Sequence, residues 1–266
     1  GRSRLLRKKN VLKRLTTLNP TKITAGILYY DGQFNDSRLA INVIQTAIEN
    51  GAVALNYCSV NGLLKDNIGM INGIRFTDEE TDKIFEVKGK QVVNATGVFT
   101  DDILKMDLPN SKKTIAPSQG IHLVLDKSFL PGQDAIMIPK TDDGRVLFLV
   151  PWCNKVLVGT TDTPIEKESL EPIALESEIK FILETAGRYL SKIPKRSDVL
   201  GAFAGLRPLA ASSSDNNKTK EISRSHKVIT SKSGLLTMIG GKWTTFRKMG
   251  EELVDAAENR LKWNSI

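Results

Sequence analysis

The sequence contains few of the residues that stabilise secreted or metal-dependent proteins. It has only two cysteines and two histidines in 266 residues, and Cys58 and Cys153 are far apart in the chain. This spacing argues against a disulfide framework or a zinc site, so we expect no metal and a reducing compartment. No apolar run approaches the roughly 20 residues that span a bilayer, and the amino-terminal segment lacks the apolar core of a secretory signal. We therefore expect a cytosolic or peripheral globular protein.

Acidic residues are outnumbered by basic ones, and the net charge is +8. Much of the excess lies at the start of the chain, where lysine and arginine alternate with leucine and valine as in an amphipathic helix. This segment suits an anionic membrane surface or nucleic acid. Because no RNA-recognition or zinc-finger signature accompanies it, we do not expect nucleic acid as a partner. A basic balance also suits an anionic small substrate.

Hydrophobic periodicity predicts a mixture of helices and strands. Helical spacing marks residues 38–50, with Asn35 or Asp36 as a candidate cap, and residues 176–190. The strands predicted from short apolar or alternating runs are 52–60, 69–77, 83–88, 91–95, 121–125, 135–138, 145–150, 155–159, 199–204, 226–231 and 235–239. The density of strands after residue 120 indicates a mostly antiparallel sheet. The order therefore predicts an α/β (α+β mixed) protein in which a discontinuous α/β domain is interrupted by an antiparallel one.

The stretch LLTMIGGKWTTFRKMGEELVDAA begins as a buried strand and ends as an amphipathic helix. Gly240 and Gly241 lie at the change of period, where glycine lets another group approach the backbone closely. Thr244 or Thr245 is expected to cap the helix, and such a helix start attracts negative charge or an electron-rich ring edge. An ordinary strand-to-helix connection is the alternative.

The chain resembles the flavin-dependent glycerol-3-phosphate dehydrogenases in runs that follow the order of that family. These runs are YYDGQFNDSRLA, QVVNATGVFTDDI, PSQGIHLVL, IPKTDDGRVLFLVPW, VGTTDTP, AFAGLRPL and IGGKWTTFRKMGE. The resemblance implies FAD as cofactor and oxidation of sn-glycerol 3-phosphate to dihydroxyacetone phosphate. It also implies transfer of electrons to quinone and a peripheral position on the inner face of the cytoplasmic membrane.

The resemblance also gives the expected domains. Residues 36–105 and 200–266 correspond to part of a Rossmann-like FAD-binding domain. Residues 1–35 and 106–199 correspond to the substrate-binding domain. The sequence has no G-x-G-x-x-G turn, with which this family holds the FAD pyrophosphate, and we therefore expect an internal, inactive piece of such an enzyme.

Four residues are implied to act on the substrate. His122 matches the histidine at the substrate face of the flavin, where a neutral imidazole takes the hydroxyl proton. Arg207 matches an arginine that contacts the substrate hydroxyl or phosphate, and Lys242 matches a lysine beside flavin and substrate. Thr161 is expected to donate a hydrogen bond to the substrate. The alternatives are a hydrogen-bonded histidine on a strand, a surface ion pair, a solvated lysine and an ordinary turn.

The remaining residues implied by the resemblance lie against the cofactor. They are Ala95, Thr96, Gly97, Gly205, Gly240, Gly241, Lys242, Trp243, Thr244 and Thr245. The helix start after Gly241 is expected to face the N1 and O2 edge of the flavin. Asp101 and Asp102 are interpreted as helix-start residues rather than acid–base catalysts.

Three further questions stay open from the sequence. An oxidase that reduces oxygen would share the substrate residues of a dehydrogenase, and a non-catalytic phosphate-binding fragment would share the fold. An exposed strand edge favours pairing, so a homodimer is also expected.

Overall fold

The computed structural model describes residues 1–139, 141, 144–211 and 226–262. Its helices are α1 (Lys8–Arg14), α2 (Asp36–Glu49), α3 (Thr100–Asp107), α4 (Glu176–Gly187) and α5 (Phe246–Leu261). Its strands are β1 (Arg4–Arg7), β2 (Ala25–Leu28), β3 (Cys58–Lys65), β4 (Ile71–Asp78), β5 (Lys83–Lys88), β6 (Val93–Asn94), β7 (Ile115–Asp126), β8 (Ile136–Ile138), β9 (Leu147–Trp152), β10 (Lys155–Gly159), β11 (Thr163–Pro164), β12 (Val199–Ala210), β13 (His226–Thr230) and β14 (Leu236–Gly240). The fold is mixed α/β with mostly antiparallel sheets, which confirms the predicted class.

The chain forms two compact units. The first unit comprises Gly1–Gly32 and Ser118–Arg207, and the second comprises Gln33–Pro117 and Pro208–Ile266. Residues 106–117 thus belong with the second unit and residues 200–207 with the first, on the other side of the division from that expected. The assignment of cofactor to one unit and substrate to the other stays a prediction.

The first unit is built on the antiparallel sheet β11-β7-β10-β9-β8, with β12 also paired to β7. Successive residues of β7 point to opposite faces of this sheet. Ile121, Leu123 and Leu125 are fully buried and share a hydrophobic core with Ile179 and Ile182 of α4. The other face of β7 is therefore left to carry polar residues and glycine.

The amino-terminal segment is not the continuous amphipathic helix that its basic and apolar alternation predicted. Arg4–Arg7 is a strand that pairs antiparallel with Ala25–Leu28, and only Lys8–Arg14 is helical. A period of two fits the strand, and in the short helix Val11 is buried in the core while Leu12 packs against it partly buried.

The second unit contains two small sheets, β3-β4-β5 and β13-β14-β6. Strand β14 runs parallel to β6, with Leu236 opposite Val93 and Thr237 opposite Asn94. The predicted strand at residues 52–60 is wrong in its first half, because β3 begins at Cys58 and the alternating Val53 and Leu55 are exposed.

Helix α2 begins as expected, since the side chain of Asn35 accepts a hydrogen bond of 2.9 Å from the N–H of Arg38. Among the described residues, no helix is both long and apolar enough to cross a membrane.

Candidate functional site

The candidate substrate residues of the first unit lie on one face of β7. Ser118, Gly120 and His122 alternate with the buried core residues, so all three belong to the face opposite the core. Two neighbouring strands, β12 and β10, bring further side chains to this face.

Arg207 crosses the sheet over Gly120. A Cβ atom on Gly120 would overlap the guanidinium, so a larger residue here would displace the side chain of Arg207. Arg207 Nη2 lies 3.1 Å from Thr160 Oγ1, and Nη1 lies 3.4 Å from Asp162 Oδ1. The guanidinium is one-third exposed and is therefore fixed from one side and open on the other.

His122 occupies a similar seat two residues further along β7. Its strand partner on β10 is Gly159, where a Cβ atom would overlap the imidazole. The ring of Phe203 stacks on the imidazole, with centroids 5.3 Å apart and planes 13° apart. The imidazole is half-buried. Gly120 of β7 leaves room for Arg207, and Gly159 of β10 leaves room for His122.

In the part of the chain that the structure describes, two arginines lie beside the carboxylate of Asp162. Asp162 accepts a short hydrogen bond from Ser118 Oγ and lies 3.4 Å from Arg207 and 4.0 Å from Arg145 Nη1. Among the described residues, the group thus has two guanidiniums and one carboxylate, which is one positive charge more than negative. Because Asp162 is 9% exposed and Arg145 25% exposed, water screens this charge only partly. The group favours an anionic ligand.

Thr161 does not face Arg207. It is 3% exposed, donates to Glu178 Oε1 at 2.9 Å and accepts from the N–H of Ile121 at 3.1 Å. Its hydroxyl hydrogen is therefore directed into the protein, and the neighbouring Thr160 contacts the arginine instead. The expected hydrogen bond from Thr161 to substrate finds no support in this arrangement.

Gly205 was assigned to the cofactor by resemblance, but it belongs to the first unit. It is exposed on β12, and no atom lies within 4 Å of the position that a Cβ would take. A substitution by alanine would meet open space there.

In the second unit, two expected cofactor segments leave the same edge of a sheet. Residues 95–97 follow β6, and residues 241–245 follow β14, which is parallel to β6. The carboxyl ends of parallel strands are the usual position for ligands in α/β proteins. The topology thus brings these two segments together.

The turn after β6 is held from behind by Asn94. This buried side chain donates to the carbonyl of Thr100 at 3.0 Å and accepts from Thr96 Oγ1 at 2.8 Å. Ala95 and Thr96 are exposed, and Gly97 has a φ of +62° with no atom within 4 Å of a Cβ position. The turn is rigid on one side and open on the other.

The bend after β14 uses two glycines with positive φ, +70° at Gly240 and +88° at Gly241. Lys242, Trp243, Thr244 and Thr245 follow and are all exposed. Thr245 is the residue before α5, but its hydroxyl accepts from the N–H of Lys242 at 3.2 Å rather than capping the helix. The predicted side-chain cap is therefore wrong, since the hydroxyl closes the bend itself.

Gly241 is required for a different reason from the one expected. A Cβ atom there would press on the side chain of Met249 and approach His226, both within the same unit. A larger residue at Gly241 would disturb the bend before it obstructed a ligand.

The second-unit segments fit a large anionic ligand that approaches the backbone. The first turn of α5 carries no acidic residue, and exposed Lys242 adds positive charge before the helix start. Ala95 is small and exposed, and the open space at Gly97 permits close approach of a planar ring. This helix start, together with exposed Lys242 and the small residues, suits a flavin dinucleotide.

Asp101 and Asp102 are in the first turn of α3, as interpreted from the sequence. Asp101 accepts hydrogen bonds from the backbone N–H groups of Thr114 and Ile115, and Asp102 lies 3.7 Å from Lys105. Asp101 is thereby fixed in a structural role.

Comparisons with known proteins agree with this arrangement. The FAD dependent oxidoreductase family model matches residues 1–247. Mitochondrial glycerol-3-phosphate dehydrogenase of Saccharomyces cerevisiae is 40% identical over 96% of this chain and 44% of its own length. Glycerol-3-phosphate dehydrogenase from Bacillus halodurans, solved with FAD, superposes with a TM-score of 0.87 at 32% identity, covering 98% of this chain and 50% of that one. L-α-glycerophosphate oxidase from Mycoplasma pneumoniae shares the fold, with a TM-score of 0.73 at 18% identity over 98% of this chain and 65% of that one.

The chain belongs to the FAD-dependent oxidoreductase family, whose cofactor is FAD. Its curated relatives at about 40% identity are glycerol-3-phosphate dehydrogenases, and the chain spans less than half of their length. These relatives are named as mitochondrial, which does not bear out the expected cytoplasmic membrane.

Proposed function

We propose that a protein carrying this chain oxidises sn-glycerol 3-phosphate to dihydroxyacetone phosphate and passes the electrons to quinone. The observation that carries the proposal is that one face of the first unit's sheet holds both the His122 imidazole, stacked on Phe203, and the Arg207 guanidinium, which contacts Thr160 and Asp162. Relatives of the same name and the FAD-containing neighbour support this choice of substrate and cofactor.

FAD, when bound, accepts the hydride from the carbinol carbon. His122 takes the proton of the hydroxyl group. The stacked ring of Phe203 holds the half-buried imidazole in one orientation. Arg207 holds the substrate oxygens, because its guanidinium has a fixed and an exposed side. Lys242 is proposed as a further cation for the substrate, and Ala95–Gly97 and Gly240–Thr245 as the residues that hold the flavin.

The test is an assay of a FAD-loaded protein with sn-glycerol 3-phosphate and a quinone analogue. Dihydroxyacetone phosphate should form at the rate at which the quinone is reduced, and glycerol should not replace the substrate because it lacks the phosphate. Absence of product with glycerol 3-phosphate would contradict the proposal. Formation of peroxide in place of reduced quinone would instead identify an oxidase, for which the Mycoplasma structure supports the fold alone.

We also propose a peripheral position on a mitochondrial membrane, because the relatives are named as mitochondrial and a quinone acceptor lies in a membrane. Recovery of the protein with mitochondrial membranes, and its release by salt, would agree with this position. A homodimer is proposed through an exposed strand edge such as β5, whose residues are exposed along its whole length. A mass by light scattering that stays monomeric at all concentrations would contradict it.

A further inference from the structure

A buried carboxylate lies behind the group that holds Arg207. Glu178 is in the first turn of α4 and is 4% exposed. Thr161 and Thr163 donate hydroxyl hydrogen bonds to Oε1 at 2.9 and 2.7 Å. Gln119 Nε2 and the N–H of Leu175 donate to Oε2 at 2.8 and 3.0 Å. Each oxygen thus accepts two hydrogen bonds, which offsets the cost of burying the charge.

This set of donors keeps Glu178 ionised. Burial by itself opposes ionisation, but the hydrogen bonds from Thr163, Leu175, Gln119 and Thr161 together hold the pKa of the carboxyl below its usual value. An ionised carboxylate only accepts hydrogen bonds, and all four of these partners are donors. The four surrounding donors therefore fit an ionised glutamate.

Two of these donors belong to a short segment that also contacts Arg207. We name residues Thr160–Thr163 the threonine strap. Thr161 and Thr163 face Glu178, whereas Thr160 and Asp162, the alternate residues, face Arg207 at 3.1 and 3.4 Å. One side of the strap is thus hydrogen-bonded to the Glu178 carboxylate, and its other side contacts the Arg207 guanidinium.

A second connection runs through β7. Gln119 donates to Glu178, and its two neighbours in the strand belong to the arginine group. Ser118 donates to Asp162, and Gly120 lies beneath the guanidinium. Glu178 therefore ties together both segments on which Arg207 rests.

We propose that Glu178 is a positioning residue for substrate binding, acting on Arg207 through the threonine strap. The inference rests on the proposed function, because Arg207 is the residue that would hold the phosphate-bearing substrate. No contact of Glu178 with substrate is required, since its carboxylate is buried and both of its oxygens are occupied by protein donors.

The variants follow from the hydrogen bonds. Glu178→Ala removes the acceptor from all four donors. Glu178→Gln keeps the size and one oxygen, and its amide can donate to the threonine hydroxyls, which can rotate to accept. Glu176→Ala is the matched control, because it removes a carboxylate from the same helical turn but one that faces exposed Arg196. Asp162→Asn weakens the other end of the strap.

The measurements are steady-state kinetics and calorimetric titration with sn-glycerol 3-phosphate on the FAD-loaded protein. Glu178→Ala should raise KM and Kd about tenfold, the effect of losing one good polar contact, with flavin content unchanged. Glu178→Gln should restore both values to within about twofold, and Glu176→Ala should leave them at the wild-type level. Combined with Asp162→Asn, Glu178→Ala should add little, because both variants release the same strap.

Several results would overturn the inference. These are a folded Glu178→Ala protein with wild-type KM and Kd, or effects of the two variants that multiply fully. If Glu178→Ala does not fold, Thr163→Val replaces it, with an expected rise in Kd of about threefold and an unchanged Kd as the contrary result. Wild-type protein that binds glycerol 3-phosphate without oxidising it contradicts the proposed function only, and the Kd comparison still decides the role of Glu178. Absence of binding contradicts both.

Discussion

The two units present their candidate functional groups in opposite ways. In the first unit the groups are side chains, His122 and Arg207, each seated over a glycine and supported by polar residues. In the second unit they are mostly backbone and small residues in two exposed turns, 95–97 and 241–245. Proton transfer and anion binding need side chains in fixed orientations, whereas a large cofactor needs a surface from which side chains are absent.

The two units also differ in the number of apolar residues that form their buried cores. A cluster of 18 buried apolar residues underlies the sheet of the first unit, whereas one of four underlies the described part of the second. Helices α2 and α5 have no buried residue, and Ile41, Ile44 and Ile48 of α2 are about half exposed. The first unit therefore buries the larger apolar cluster, and hydrophobic burial contributes more to its stability than to that of the described part of the second unit.

The largest expected effect separates the chemistry of the two units. His122→Ala should lower kcat by about 100-fold to 10,000-fold, since it removes the group that takes the proton, while flavin content stays normal. Arg207→Ala should instead raise KM and lower kcat together. Steady-state kinetics measure both variants, and the absorbance of bound flavin measures the cofactor content. Wild-type rates in both variants would show that the substrate site does not include these two residues of the first unit.

A smaller effect tests Gly120 and Gly159, the two glycines against which Arg207 and His122 lie. Gly120→Ala and Gly159→Ala place a methyl group where the guanidinium and the imidazole now lie, so each should lower kcat/KM by about 10-fold to 100-fold. Gly201→Ala on β12 is the control, because its Cβ would meet Val124 at an ordinary 3.8 Å. Equal kinetics in the three variants would show that these two glycines do not orient the side chains.

The cofactor turn of the second unit is tested by flavin retention. Gly97→Ala strains a residue with φ of +62° by about 1 kcal/mol and adds a methyl group on its open side. Gly51→Ala is matched, with φ of +89° and equally open surroundings, but lies outside the proposed site. After desalting, Gly97→Ala should retain less FAD than Gly51→Ala; equal retention would place the cofactor elsewhere.

The smallest expected effect concerns acid stability of the first unit. Because the pKa of Glu178 is lowered on folding, its ionised form contributes stability above the unfolded value of about 4.5, and this is lost as the pH falls through the folded pKa. Wild type should therefore exceed Glu178→Gln in Tm by a few degrees at pH 7, and the difference should shrink progressively as the pH falls below the unfolded value of about 4.5. A difference independent of pH would contradict an ionised Glu178.

The sequence predicted the parts of this arrangement that are local. Strands Lys83–Lys88 and Lys155–Gly159 lie at the predicted positions, because alternation and flanking turns mark both ends. Asn35 was one of two candidates for the cap of α2, with Asp36, and its side chain makes the capping hydrogen bond. Recognisable runs around His122 and Arg207 pointed to the family, which the comparison with known proteins confirms.

The sequence did not reveal contacts that depend on strand pairing. Nothing local shows that Gly159 lies beside His122, that Phe203 stacks on it, or that Glu178 binds the threonine strap. Gly120 gave a weak signal, a glycine inside an apolar strand, which often marks close approach of another group. The expected role of Thr161 failed for the same reason, since the direction of a hydroxyl depends on the helix packed against it.

The most direct test of the proposed function is the absorbance spectrum of the FAD-loaded protein, recorded without oxygen before and after addition of sn-glycerol 3-phosphate. We predict that the band of oxidised flavin is bleached by glycerol 3-phosphate, not by glycerol, and much more slowly in His122→Ala. A flavin band that glycerol 3-phosphate leaves unchanged in the wild-type protein would contradict the proposed function.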